Sequence, residues 1–294
     1  MNIMTVAMGV AFALMWSSAF ATARIIVAAA PPLMALSVRF LISGAVALII
    51  ARVMGQKLWP AGGWRGRQMR AILIFGLCQN ALYLGLNFIA MQWIEASLAA
   101  IIASTMPLIV AALGWAFWRQ KVAPLGLAGL VLGMIGVALI MGTRVQGGAD
   151  PMGIILCVIG ATALAVATLT VQGASAAGGS LLAVVGLQML VGSASLGLVS
   201  AMIETPHVTL GLPLVLAFLY QTFVPGLAAT LLWFALVGRI GPVRGATFHF
   251  LNPFFGVLIA ALLLGEKIAP TDIIGVGVVM IGILAVQIAK VQRS

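Results

Sequence analysis

Lys121-Val122-Ala123-Pro124, followed after four residues by Gly129, recurs as Lys267-Ile268-Ala269-Pro270, again followed after four residues by Gly275. The offset of 146 residues holds without a gap beyond this stretch. Pro107 falls on Pro253, and Met134-Ile135-Gly136 falls on Met280-Ile281-Gly282. The chain is therefore one unit written twice, with halves at 1–145 and 146–294. Each half holds an odd number of apolar runs, so in a membrane the two halves lie in opposite orientations. That is the construction plan of an alternating-access transporter.

The membrane follows from composition. The chain of 294 residues is 63% hydrophobic and 7% charged, with a mean hydropathy of +1.23. Runs of about 20 apolar residues are long enough to cross the hydrocarbon core as helices. Membrane β-strands need alternating polarity, and these runs are apolar all round. The fold class is all-α, integral to the membrane. Net charge +10 does not point to nucleic acid, because the basic residues sit at span ends rather than on one face. Cys78 and Cys157 each fall inside a span and read as small apolar filler, not as a disulfide or metal set.

The spans read as 3–23, 33–51, 71–90, 95–117, 123–142, 152–172, 181–203, 212–236, 243–264 and 270–289. Ala21-Thr22-Ala23 is no signal-peptidase site, since no positive region precedes it, and the first span stays in the mature protein. Breakers between spans are Pro31-Pro32, Gly62-Gly63, Pro124, Gly147-Gly148, Gly178-Gly179, Pro206, Gly241-Pro242 and Pro270. With a cytoplasmic N-terminus, the inner segments hold Arg52, Lys57, Arg65, Arg67, Arg70, Arg119, Lys121, Arg239, Arg244, Lys290 and Arg293. The outer ones hold only Arg24, Arg39, Arg144 and Lys267. This bias places both termini inside.

Several motifs resemble the drug/metabolite transporter superfamily, specifically its EamA-type exporters. Trp16-Ser17-Ser18 resembles the tryptophan motif of that family's first helix. Pro31-Pro32-Leu33-Met34 with Arg39-Phe40 resembles the signature opening its second helix, and Gly265-Glu266-Lys267 with Pro270 its Gly-Glu motif. The resemblance covers essentially the whole chain. It implies ten helices in two inverted five-helix repeats, a cavity lined by spans 1, 3, 4, 6, 8 and 9, and export of amino acids or related metabolites across a bacterial inner membrane. The chain departs from the pattern where Arg119-Gln120 replaces the first-half Gly-Glu, where Thr162 is the counterpart of Trp16, and where Val185 is the counterpart of Arg39.

Polar residues inside the bilayer are the independent guide to a site. Gln79, Asn80, Tyr83 and Asn87 recur at spacings of three and four and share one face of a helix. They line a cavity or tie span 3 to a neighbour. His249 and Asn252 stand just before Pro253. A histidine there binds a carboxylate, carries a proton, or is simply bonded to a backbone carbonyl. Pro107 and Pro253 kink spans 4 and 9, and Pro225-Gly226 marks span 8 as a hinge. Trp16 and Trp233 are stacking surfaces for a substrate or members of an interfacial belt. Trp59, Trp64, Trp93 and Trp118, near span ends, read as the belt. Ser17, Ser18, Ser104, Thr105, Thr162 and Thr168 are expected to bond their own helix backbone. Gly275, Gly277 and Gly282 of span 10 read as packing positions. Arg39 snorkels to the interface, captures a substrate carboxylate, or joins a structural ion pair.

Absences narrow the function. The five acidic residues, Glu95, Asp150, Glu204, Glu266 and Asp272, all fall at span ends or in loops. A multidrug cation pump wants a buried carboxylate, and a metal-dependent membrane enzyme wants paired carboxylates or histidines. No cofactor, metal or catalytic group is expected. The expected partners are the lipid bilayer and a neutral or zwitterionic small molecule, with aromatic or apolar amino acids preferred because Tyr83, Trp16 and Trp233 offer stacking faces. Another metabolite, such as a nucleobase or sugar, is the alternative within transport. A non-transporting scaffold or enzyme subunit is the alternative outside it.

Overall fold

The computed structural model describes residues 3–60, 63, 66–118, 123–175 and 180–291. Gly62, Trp64, Arg65, Arg119, Gln120, Lys121, Gly178, Gly179 and Arg293, used above, lie outside the described residues. Among the described residues every regular element is a helix. Seven helices are long and apolar enough to cross a membrane, and three shorter apolar ones, Ala96–Val110, Phe248–Leu264 and Pro270–Val286, bring the number to ten.

Six spans are plain helices: span 1 Ile3–Val27, span 2 Pro32–Val53, span 5 Pro124–Gln146, span 6 Pro151–Ser175, span 7 Leu181–Ile203 and span 10 Pro270–Val291. Proline opens spans 2, 5, 6 and 10, where its missing N–H sacrifices no helical bond. A side chain caps span 7, and another reinforces the start of span 6. The Asp150 carboxylate accepts from the Met152 N–H at 2.7 Å, and Ser180 Oγ accepts from the Ala183 N–H at 3.2 Å. Gly265, at φ +69°, ends span 9 in the left-handed conformation that glycine adopts without steric cost.

The remaining four spans are irregular, and they are repeat partners. Span 3 is α-helical over Arg67–Phe75, π-helical over Gly76–Leu84 and α-helical again over Gly85–Ala90. Span 8 is α-helical over Leu212–Gln221, π-helical over Thr222–Ala228 and α-helical over Ala229–Ala246. Shifting the first π segment by the repeat offset lands it on the second. Span 4 breaks at Thr105 into Ala96–Ser104 and Met106–Trp118. Span 9 is a 3₁₀ turn, Thr247–Leu251, followed by the helix Asn252–Leu264. The same offset carries Met106–Trp118 onto Asn252–Leu264, residue for residue. Pro107 and Pro253 sit at the second position of these helices, so the interruptions fall where a proline forbids an α-helix from continuing.

The break in span 4 falls beside Pro107, where a kink is expected, while the π-helical stretch of span 3 has no counterpart in the sequence reading. One expectation is corrected: Gly241-Pro242 does not separate span 8 from span 9, and helical bonding runs on to Ala246. A proline deletes one N–H only, which membrane helices tolerate where neighbours compensate, and the change of element falls instead at Thr247–Leu251.

Packing uses small residues, as expected where lipid offers no hydrophobic drive to bring helices together. Spans 5 and 10 meet backbone to backbone. A Cβ on Gly129 would fall 2.7 Å from the Gly282 carbonyl oxygen, and one on Gly136 would fall 3.0 Å from that of Gly275. Repeat-equivalent glycines thus pack crosswise. Gly277 faces open space and takes no part. Spans 2 and 7 pair in the same manner through Gly44 and Gly186. At one end of the bundle, two carboxylates from the second half cap helices of the first. Glu204, ending span 7, accepts from the Leu33 and Met34 N–H groups at 2.8 and 2.9 Å. Glu266, after span 9, accepts from Ala96 and Ser97 at 2.8 and 3.1 Å. At the opposite end of the span 2–span 7 pair the contact is neutral, between Gln56 and Ser180.

Candidate functional site

The irregular segments of spans 3 and 8 face the middle of the bundle and enclose two adjoining chambers. The first has about 30 Å³ in which the centre of a water molecule can move. It is the polar one. Gln79, Asn80, Tyr83 and Asn87 line it from span 3, Arg39 from span 2, and Gln221, Pro225 and Gly226 from span 8. Trp16 of span 1 closes one side. The second chamber, about 20 Å³, is aromatic: Phe12, Phe75, Trp233, Phe234 and His249 surround it. Trp16, Gln79 and Thr230 line both and form the waist between them. At one water per roughly 10–15 Å³ of such volume, the chambers are narrow, with room for a few water molecules.

The predicted site residues divide between these chambers. Trp16, Gln79, Asn80, Tyr83 and Asn87 share the polar chamber, while Trp233 and His249 belong to the aromatic one. Asn252 lines neither. It is buried behind His249, its Nδ2 2.9 Å from His249 Nδ1. With Asn252 donating, Nδ1 accepts and the neutral imidazole carries its proton on Nε2, which has no partner. The expected alternative of a carbonyl partner is thereby replaced by an amide. The ring sits among aromatic faces: Phe12 at 5.3 Å and Trp233 at 5.0 Å, both edge-on, with Phe12 stacked on Trp233 at 4.8 Å.

Span 3 performs both roles weighed for it. Asn80 Nδ2 donates to the Gln188 carbonyl at 2.9 Å, and Gly192 makes room, since a Cβ there would fall 2.4 Å from Asn80 Cβ. Asn87 Nδ2 donates to the Tyr83 carbonyl at 2.8 Å, and its Oδ1 accepts from Cys157 Sγ at 3.4 Å. These two amides hold helices together. Gln79 has no hydrogen bond among the described residues, and Tyr83, only 1% exposed, fills the wall as the largest fully buried side chain.

Arg39 does not snorkel. It is 3% exposed and turns into the polar chamber. Its guanidinium lies 4.5 Å over the Phe40 ring. The sole hydrogen bond it makes among the described residues is a long one, from Nη1 to the Gln221 carbonyl at 3.5 Å, so the ion-pair alternative also fails. The reason lies in span 8. Pro225 has no N–H for the Gln221 carbonyl four residues earlier, so the span is π-helical over Thr222–Ala228, and the same carbonyl also takes the Arg39 contact. Ser43 Oγ uses the next carbonyl, Thr222, at 3.0 Å. Gln221, Thr230 and Phe12 complete the chambers and were not among the sequence candidates. A lone glutamine in an apolar run was the available signal for Gln221; Phe12 carries none, being one phenylalanine among many.

The resemblance-implied lining of spans 1, 3, 4, 6, 8 and 9 describes the aromatic chamber, which Met106, Leu164 and Thr168 complete. The polar chamber instead draws on spans 2 and 7 through Arg39, Phe40 and Met189. Hydroxyls behave as expected in several places: Ser104, Thr105, Thr162 and Thr168 bond their own helix. Ser18 bonds its own helix at the Met15 carbonyl and also reaches the Tyr220 hydroxyl, whereas Ser17, against expectation, reaches across to the Asn252 carbonyl. Trp59 and Trp93 are half exposed near span ends, as a belt requires. Above the polar chamber, at the end carrying Glu204 and Glu266, an open vestibule of about 1120 Å³ is lined by Arg24, Glu95, Glu266 and Lys267 among others. Arg24 bonds the Met91 carbonyl between vestibule and chamber.

The sequence pattern of the EamA-like transporter family matches residues 3–142 and again residues 151–287. The chain belongs to the EamA-like transporter family. This family member is 26% identical over 289 residues to the uncharacterized inner membrane transporter YedA of Escherichia coli K12, covering 96% of this chain and 90% of YedA. It is 24% identical to the uncharacterized transporter YvbV of Bacillus subtilis strain 168, covering 96% and 91%. Protein PecM of Dickeya dadantii is 23% identical, covering 92% and 88%. A solved crystal structure superposes over the whole of both chains with a TM-score of 0.71 at 19% identity, a likeness of fold.

Proposed function

We propose that this protein exports amino acids, with a preference for aromatic and apolar ones, across a bacterial inner membrane by alternating access. The observation that carries the reading is the pair of adjoining chambers at the meeting of the two repeats. One end is polar and cationic, the other is walled by Phe12, Trp233 and His249. An amino acid with an apolar side chain has the same division. The inner-membrane location follows the name of YedA, and the distribution of Lys and Arg supports both termini on the cytoplasmic side. The halves divide near residue 145. The vestibule then faces outward, and the narrow chambers lie beneath it, with Pro107, Pro225, Gly226 and Pro253 marking where helices bend in the cycle.

The test is uptake of a panel of radiolabelled amino acids into proteoliposomes holding the purified protein, with and without a pH gradient. Saturable flux of the aromatic and apolar group is expected. No flux of any amino acid, in vesicles whose reconstitution is verified by protease protection, would overturn the reading.

A further inference from the structure

Two buried polar atoms without partners among the described residues belong to neighbouring side chains in the polar chamber: Nε of Arg39 and Oε1 of Gln221. Their residues already touch, through Arg39 Nη1 and the Gln221 carbonyl. Gln221 Nε2 is spent on the Ala19 carbonyl at 3.1 Å, which fixes the amide and leaves its oxygen as a free acceptor. Arg39 is a permanent cation with five donors, buried in a membrane protein. Such a charge demands an anion. The chain offers none. Glu204, Glu266, Asp150 and Asp272 hold backbone N–H groups at helix starts, and Glu95 lines the vestibule.

We propose that Arg39 and Gln221 form the headgroup site of the transported solute. The guanidinium takes a carboxylate, and Gln221 Oε1 accepts from the ammonium on the adjoining carbon. The side chain passes the Trp16–Gln79–Thr230 waist into the aromatic chamber. This rests on the amino-acid reading above and adds to it an orientation and a charge rule. A carboxylate is obligatory. An ammonium is favoured by one neutral acceptor and is dispensable at reduced affinity. Amines and carboxyl-amidated amino acids are rejected, because either would leave Arg39 unpaired.

The experiment is competition against saturable uptake in wild-type proteoliposomes by phenylalanine, phenylalaninamide, 3-phenylpropionate and phenethylamine. The amide and the amine are expected to compete about 30-fold or more weakly than phenylalanine, the scale of losing the partner of a buried charge. 3-Phenylpropionate should fall between. Gln221→Leu should raise the KM for phenylalanine while leaving competition by 3-phenylpropionate unchanged. Arg39→Lys should raise KM with folding intact, read as a monodisperse elution profile, and Arg39→Gln should abolish uptake. If phenylalanine is transported but its amide competes equally, or if Gln221→Leu weakens both ligands alike, the headgroup site is overturned and the exporter reading stands. If no amino acid and none of the analogues enters or competes, the exporter reading itself falls and takes this one with it.

Discussion

Spans 3 and 8 occupy the same place in the two repeats and carry the same π-helical turn, yet almost no residue is shared between the two segments. Gly76–Leu84 is rich in side-chain polarity, with Gln79, Asn80 and Tyr83. Thr222–Ala228 creates its irregularity in the backbone, by a proline that withholds an N–H and by Gly226, where an added Cβ would fall 2.8 Å from the Gln221 carbonyl oxygen. Pro225 stands at the repeat position of Gln79. The duplicated feature is therefore the backbone shape, and each copy reaches it by its own chemistry. A symmetric scaffold thereby builds an asymmetric site: amides and a phenol come from one wall, a proline-turned backbone and an indole from the other.

That contrast can be broken most severely at Tyr83. Tyr83→Ala should remove the largest fully buried side chain, cost about 3–5 kcal/mol by analogy with other aromatic truncations, and abolish saturable export. Tyr83→Phe should keep the wall and most of the flux. Thermal melting in detergent and vesicle uptake separate the two, and unchanged export kinetics in Tyr83→Ala would refute span 3 as a cavity wall.

Pro225→Ala offers a smaller effect and a sharper comparison. It returns the N–H that Gln221 lacks, so the span should straighten toward an α-helix. Melting temperature should hold or rise slightly, and turnover should fall about tenfold if the bend is used in the cycle. Gln79→Leu at the equivalent position should do the reverse, raising KM with the π turn retained. Equal behaviour of the two variants would show that the repeats are functionally interchangeable here.

Within span 3 the comparison predicts a division of labour. Asn80→Leu should lose about 1 kcal/mol of stability, the scale of an interhelical hydrogen bond in a membrane, with little change in KM. The least effect is expected at His249. Its only hydrogen-bond partner among the described residues is Asn252, and no carboxylate lies against it to pass a proton. His249→Ala should keep the wild-type dependence of uptake on the imposed pH gradient. A dependence present in wild type and lost in the variant would restore proton coupling through this residue.

The sequence is readable wherever one residue type carries one meaning. The repeat, the ten apolar runs and the prolines opening spans 2, 5, 6 and 10 all behave this way, and the family pattern fits them. The site was partly legible. Polar residues in apolar runs led to Gln79, Asn80, Tyr83 and Asn87, but spacing alone gives no means of separating Gln79, which is unpaired, from Asn80, which is bonded to span 7. For Arg39 the sequence leaves snorkelling, carboxylate capture and an ion pair open together, because distance along a helix says nothing about which way it faces. Its direction is decided by a proline 186 residues later in the chain. The π turn of span 8 is signalled by Pro225-Gly226, but that of span 3 carries no such breaker, and the glycine beside Asn80 is Gly192, on a different helix.

The carboxylates of Glu204 and Glu266 each grip two amide protons on a helix belonging to the other half. A grip of that kind is seated or released, with little in between, because both bonds share one rigid group. Widening the bundle at the vestibule end requires both grips to let go, whereas the Gln56–Ser180 contact at the far end of spans 2 and 7 is a single neutral one. Among the described residues the vestibule end is thus held between the halves by two-pronged charged grips, and it widens only when both are released.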